Sequence, residues 1–293
     1  MLIGRAYVAM SQYQTAIPYL QKSAKADGLD MLVKAWSLAE LGKAFYHMGQ
    51  SEKGIVNLKK AIEMRASRNC SRFAHNCLMR FQENDYYQKW DVRESEHLRF
   101  HFQDITAIEN IEYYIKQHED VYQAVNRFFK VDLSKKIDLF VWKDRDEAYN
   151  ILGRSLCFAN SHMKIINIWY QQTKGHEICH ILCDVAIQPK KKTLLINEGI
   201  CTYFDPTSYN KMDEARKFLP KGEFHLIELW ESPTHYKRDL SYPIGGAFID
   251  FLIHKEGKEK FLLLLRDQTI ENAEKIYPNF KNLINVFEAM LES

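Results

Sequence analysis

The chain has 293 residues, 46% hydrophobic and 27% charged, with 40 basic and 38 acidic side chains for a net charge of +2. That length is enough to bury a sizeable core in one large domain or two ordinary ones. The near-neutral balance gives no electrostatic case for a nucleic-acid partner. The longest apolar run near the C-terminus, FLLLL at 261–265, is too short to cross a bilayer.

The N-terminal stretch MLIGRAYVAM lacks the apolar segment and cleavage site of a signal peptide. The first ninety residues read as helical, and two stretches share a pattern. Gly4, Tyr7, Ala16 and Leu20 fall at offsets 0, 3, 12 and 16; Gly42, Phe45, Gly54 and Leu58 repeat those offsets, with Ala61 at 19. Small residues let two helices approach closely, and the aromatic and leucine fill the space between them. This resembles the tetratricopeptide repeat, whose period is 34. Here the two units lie 38 apart, stretched by the loop around 27–30, and Leu38 stands at the family's Trp position. The resemblance implies a repeat region at 1–90 that offers a surface to a protein partner; the alternative is a plain pair of helical hairpins. Gly4 falls mid-helix in the first unit, so the chain is expected to lack upstream sequence, and with it any signal or anchor there.

A further helix within 65–90 reads as a cap, and the polar segment 82–96 as a linker. His97 to Phe102 alternates like a strand. Residues 107–130 form a long amphipathic helix, 136–142 (KIDLFVW) a buried strand, 144–153 a short helix and 163–170 (MKIINIWY) a third strand. From 174 onward the pattern is almost wholly helical. The order predicts an α+β fold: an α+β lobe at about 97–188 followed by a helical lobe at about 189–293, with a cleft between them. The run Lys190–Lys192 after Pro189 reads as a solvated loop rather than a targeting patch. Six cysteines (70, 77, 157, 179, 183 and 201) form no CxxC pair, so reduced, buried thiols and a reducing compartment are expected.

Residues 176–180 read His-Glu-Ile-Cys-His. On a helix, His176 and His180 lie on one face and both imidazoles reach one ion, while Glu177 sits beside it. A chance HExxH in a chain this long is an event on the order of a few per cent, and a buried helix with two hydrogen-bonded histidines is the bland alternative. Seventeen residues separate His180 from Glu198, which stands in the apolar segment LLINEGI. An unpartnered carboxylate there is costly to bury, and a cation resolves the cost. Two His and one Glu leave a fourth tetrahedral position open, the arrangement of catalytic rather than structural zinc.

HExxH followed by a helix carrying an Asn-Glu-Gly sequence (197–199) resembles the gluzincin metallopeptidases, more narrowly the peptidase MA-like proteins often fused to helical repeats. The similarity spans roughly 97–265, within a two-lobed metallopeptidase domain at 91–293. The resemblance implies one Zn²⁺ ion held by His176, His180 and Glu198, with Glu177 as general base and Asn197 as support for a ligand. It makes Tyr242 the first candidate for oxyanion stabilisation, with His235 and Tyr236 as rivals and a capping or packing role for Tyr242 as the alternative. It also makes the strand at 163–170 the sheet edge that pairs with an extended substrate. Aminopeptidase relatives carry an acidic residue on that edge; residues 157–168 (CFANSHMKIINI) have none, which favours an endopeptidase. Cys179 and Cys183 read as small buried residues, not ligands. The expected activity is zinc-dependent hydrolysis of a peptide or protein substrate. The alternatives are a catalytically silent metallopeptidase fold that binds partners through the repeats, and a regulator that cleaves one docked partner protein.

Overall fold

A computed structural model of the chain describes residues 1–26, 28, 30–81, 85–152, 154–206, 210–220, 224–231 and 238–293. The fold is mixed α+β. It divides into two compact units: Met1–Arg93, Arg99–Glu109 and Asp138–Tyr170 form the first, and Glu94–Leu98, Asn110–Ile137 and Gln171–Ser293 the second.

In the first unit, periodic apolar positions build α1 (Leu2–Ala9), α2 (Tyr13–Lys25), α3 (Met31–His47), α4 (Ser51–Glu63) and α5 (Arg68–Arg80). Asp30 caps α3 by accepting from Leu32 N, and Ser67 caps α5 by accepting from Cys70 N. Glycines set two of the crossings. A Cβ on Gly4 would lie 2.6 Å from Leu20 Cγ and 3.4 Å from the Ala16 carbonyl; one on Gly42 would lie 2.7 Å from Leu58 Cγ and 2.8 Å from the Gly54 carbonyl. Both crossings therefore bring together the positions that share offsets in the sequence.

Among the described residues the sheet has five strands, β1 (Asp91–Glu94), β2 (Leu98–Phe102), β3 (Ile137–Trp142), β4 (Phe158–Asn160) and β5 (Ile165–Trp169), in the order β1-β2-β3-β5-β4. β3 runs parallel to β5 with Phe140 opposite Asn167, and β4 runs antiparallel to β5 with Ala159 opposite Ile166. Between β3 and β4, α7 (Arg145–Leu152) starts where Asp144 Oδ1 accepts from the backbone of Asp146 and Glu147.

Two expectations are corrected here. The strand expected at 163–170 is β5, but it is an interior strand; the edge beside it is β4. Four consecutive buried residues, Ile165 to Ile168, are the signature of a strand covered on both faces, whereas β4 is three residues long and only half-buried, too weak a pattern to read. The segment expected to be a linker at 82–96 is packed instead. Tyr87 and Trp90 are buried in one core with Phe140, Trp142, Ala74 and Leu152, and Trp90 meets Trp142 edge-on at 4.8 Å between centroids. Within it, Asp91–Glu94 is β1; residues 82–84 lie outside the described residues.

The second unit is helical: α6 (Ile111–Phe129), α8 (His176–Ile187), α9 (Leu194–Phe204), α10 (Lys211–Phe218), α11 (Leu226–Glu231), α12 (Ser241–Glu256), α13 (Lys258–Arg266), α14 (Ile270–Ile276) and α15 (Phe280–Glu292). The rings of Trp230, Phe248, Phe280 and Phe287 pack together in its core. Trp230 Nε1 donates to the Gln268 carbonyl, and Gln268 Oε1 accepts from Thr193 N at the start of α9, which fixes the entry of that helix. α9 and α12 touch backbone to backbone: a Cβ on Gly199 would lie 2.6 Å from the Gly245 carbonyl carbon, and one on Gly245 would lie 2.5 Å from the Leu195 carbonyl oxygen. Among the described residues no helix is long and apolar enough to cross a membrane.

Candidate metal centre

α8 begins at His176, straight after Gly175, whose own Cβ position is filled by Val121 and the Phe204 carbonyl. The close seat of Gly175 holds the first turn of α8 against α6 and the end of α9. His176 and His180, four apart, present their rings on the same side of α8, edge to face at 5.0 Å. α9 brings Glu198 to them. Its Oε2 lies 3.0 Å from His176 Nε2 and 3.3 Å from His180 Nε2, so two imidazoles address one carboxylate oxygen.

The far sides of these groups are held as well. His176 Nδ1 lies 3.5 Å from Asp205 Oδ2, just past the end of α9. His180 Nδ1 lies 3.2 Å from Cys201 Sγ and 3.5 Å from Asn197 Nδ2, and the same Asn197 nitrogen donates to Glu198 Oε1 at 3.3 Å. Each imidazole thus has one nitrogen turned to Glu198 and the other engaged behind it, which holds the ring orientation; the Asp205 carboxylate accepts at His176, whereas the Asn197 amide nitrogen can only donate at His180. Thr202 Oγ1 donates to the Glu198 carbonyl and steadies this turn of α9. The Tyr242 ring, at the start of α12, stacks on His176 at 5.6 Å.

The electrostatics follow from burial and charge. His176 and Glu177 are each 6% exposed. Burial works against the His176 imidazolium, but the hydrogen bonds to Asp205 and Glu198 and the neighbouring carboxylates outweigh it and push the group up to about 10. For Glu198, burial raises the carboxyl, yet the two histidines win and hold it well below the usual carboxylate range. Glu177 is different: burial, with Glu198 and Asp205 nearby, raises it against the pull of His180 and His176, so its carboxyl holds a proton more readily than an exposed glutamate.

All four residues marked by the motif and the Glu helix, together with Asn197 and Tyr242, are therefore brought to one place. His235 and Tyr236 lie outside the described residues. Two neighbours escape a motif reading. Asp205 follows Glu198 by seven positions, two helical turns on one face, a spacing that could have marked it. Cys201 lies one turn from Glu198, and its thiol, pushed up by burial and by Cys179, packs behind His180. One nitrogen from each of His176 and His180 and the Cys201 sulfur also lie within 4.8 Å of one another, a rival ligand set. Glu198 is the better third donor on chemistry: it is already ionised and faces both Nε2 atoms, whereas the Cys201 thiol keeps its proton and sits on the opposite side of the His180 ring. Cys179 faces away, donating to the Ile200 carbonyl. Elsewhere, Glu96, His97 and Glu119 also cluster, but His97 Nδ1 and Glu119 Oε1 are spent on each other.

No family model matches the chain, and no curated protein matches it in sequence.

Proposed function

We propose that the second unit is a zinc-dependent peptide-bond hydrolase of the gluzincin type, an endopeptidase, with His176, His180 and Glu198 as metal ligands. The observation that carries this reading is the convergence of two Nε2 atoms on one carboxylate oxygen at 3.0 and 3.3 Å. Donors at zinc–ligand distances of 2.0–2.1 Å on a tetrahedron stand about 3.4 Å apart. The donor chemistry also fits: two imidazoles and an ionised carboxylate, with the Asp205 carboxylate behind His176, as ligating histidines are usually supported. When bound, the ion would lower the pKa of a water toward ~7 and polarise the scissile carbonyl.

The rest falls to the chain. Glu177, next to His176 on α8 and raised by burial, is suited to take a proton from the attacking water at its carboxylate and deliver it to the leaving amine. Asp205 would accept from His176 Nδ1 and so leave Nε2 of that imidazole free to ligate, while Asn197 would steady Glu198 by donating to its Oε1. Tyr242, whose ring stacks on His176, would be the donor to a developing oxyanion. In the first unit, the paired glycine crossings of α1–α4 support reading a tetratricopeptide-like repeat, which would serve as a partner-binding region.

The reading is tested by cleavage of a mixed peptide library with the wild type and Glu177→Gln, with bound zinc measured in both. Cleavage by the wild type, a loss of about 10²–10⁴-fold in the variant and unchanged zinc are expected. Zinc bound by both with no cleavage by either would remove the hydrolase and leave a silent metal-binding scaffold.

A further inference from the structure

α2, α3 and α4 enclose a groove with a volume of about 610 Å³, within the size range of ligand sites. It lies wholly in the first unit and plays no part in the proposed chemistry. Helical spacing explains it. Leu38, Leu41 and Phe45 form one stripe of α3 and make the floor. The wall from α4 is Lys53, Val56 and Lys60, again at steps of three and four, and α2 contributes Lys25.

Two features of the groove point to a partner. Its floor is apolar while its wall leaves Val56 49% exposed, although α4 buries Leu58 and Ala61 completely on its other side. Its rim is basic: among the described residues three lysines line it against one carboxylate, that of Glu52. Lys25 and Lys60 enter no ion pair among the described residues. Lys53 lies over the Phe45 ring at 5.7 Å and donates to Gln50, so its charge stays uncompensated as well. In a chain that is nearly neutral overall, a local excess of this kind above an apolar floor is complementary to an acidic segment bearing an aliphatic side chain. A phosphate backbone would meet the lysines but bring nothing to fill the floor of Leu41 and Phe45.

We infer that this groove binds an acidic peptide segment of a partner protein, its aliphatic side chains on Leu41, Phe45 and Val56 and its carboxylates on Lys25, Lys53 and Lys60. The test is fluorescence anisotropy of the full chain with a labelled peptide of leucines flanked by glutamates, beside the same peptide with glutamines. Saturable binding of the glutamate peptide that weakens with added salt is expected, with the glutamine peptide about 10-fold weaker. The double variant Lys25→Glu and Lys60→Glu should lose about 10-fold for the glutamate peptide while its thermal melt is unchanged. Val56→Asp should weaken both peptides. Absence of saturable binding, equal binding of the two peptides, or indifference to the lysine reversals would overturn the inference. So would a concentration-dependent dimer in sedimentation that Val56→Asp dissolves, which would assign the groove to a second copy of the chain.

Discussion

Gly245→Ala reverses the usual rule for a glycine inside a helix. In an isolated helix the change would stabilise by about 1 kcal/mol through propensity. In α12 the new Cβ would lie 2.5 Å from the Leu195 carbonyl oxygen and 2.9 Å from Gly199 Cα, both backbone atoms of α9. No side chain can rotate away, so α9 itself must retreat by about 0.9 Å to restore ordinary contact near 3.4 Å. Overpacking of this kind costs about 1–3 kcal/mol, which offsets the propensity gain of ~1 kcal/mol and leaves a net loss of up to about 2 kcal/mol. A loss of 2 kcal/mol corresponds to roughly 4–8 °C in Tm. The displacement also falls beside the candidate centre, because Glu198 precedes Gly199 on the helix that is pushed. Metal ligand distances tolerate about 0.2 Å, so zinc affinity should fall by about 10–100-fold, the scale of losing a supporting group. Melting of the chelator-treated protein and zinc competition against a chromophoric chelator read the two effects separately. A Gly245→Ala protein that melts as high as the wild type and binds zinc as tightly would refute the reasoning.

Two further outcomes follow. Asp205→Asn removes the charge behind His176 Nδ1 while keeping the shape, and should weaken zinc by about 10-fold in the same competition assay, with little change in secondary structure. The metal-free protein should also respond to pH in a set direction. His176 is raised to about 10, so the stability it contributes is complete below its unfolded value of about 6.5 and fades as pH climbs toward 10. Tm of chelator-treated protein should therefore fall through that window, and zinc binding near pH 7 should release a proton, visible as a buffer-dependent enthalpy in calorimetry. A flat Tm and no proton release would contradict this account of His176.

Much of the candidate site was legible because its elements are local. His176, Glu177 and His180 share one helical turn, and Glu198 stood out as a carboxylate among apolar neighbours. Alternation in Leu98–Phe102 appears as inward Leu98, Phe100 and Phe102. The missing parts were those that depend on packing between distant segments. Asp205 and Cys201 acquire their places only when α9 lies across α8. Tyr87 and Trp90 looked like a linker because polar neighbours surround them; their burial is decided by Phe140 and Trp142, some fifty residues further along the chain. β4 carries three residues of pattern, too few to show that β5 is interior.

In the proposed centre, His176, His180 and Glu198 would hold one zinc ion. Zinc content of the purified full chain after dialysis, measured by mass spectrometry for the wild type, Glu198→Gln and Cys201→Ser, tests it most directly. One zinc per wild-type chain, its loss in Glu198→Gln and its retention in Cys201→Ser are predicted. Zinc that survives Glu198→Gln but disappears with Cys201→Ser, or a wild type that binds none, would contradict it.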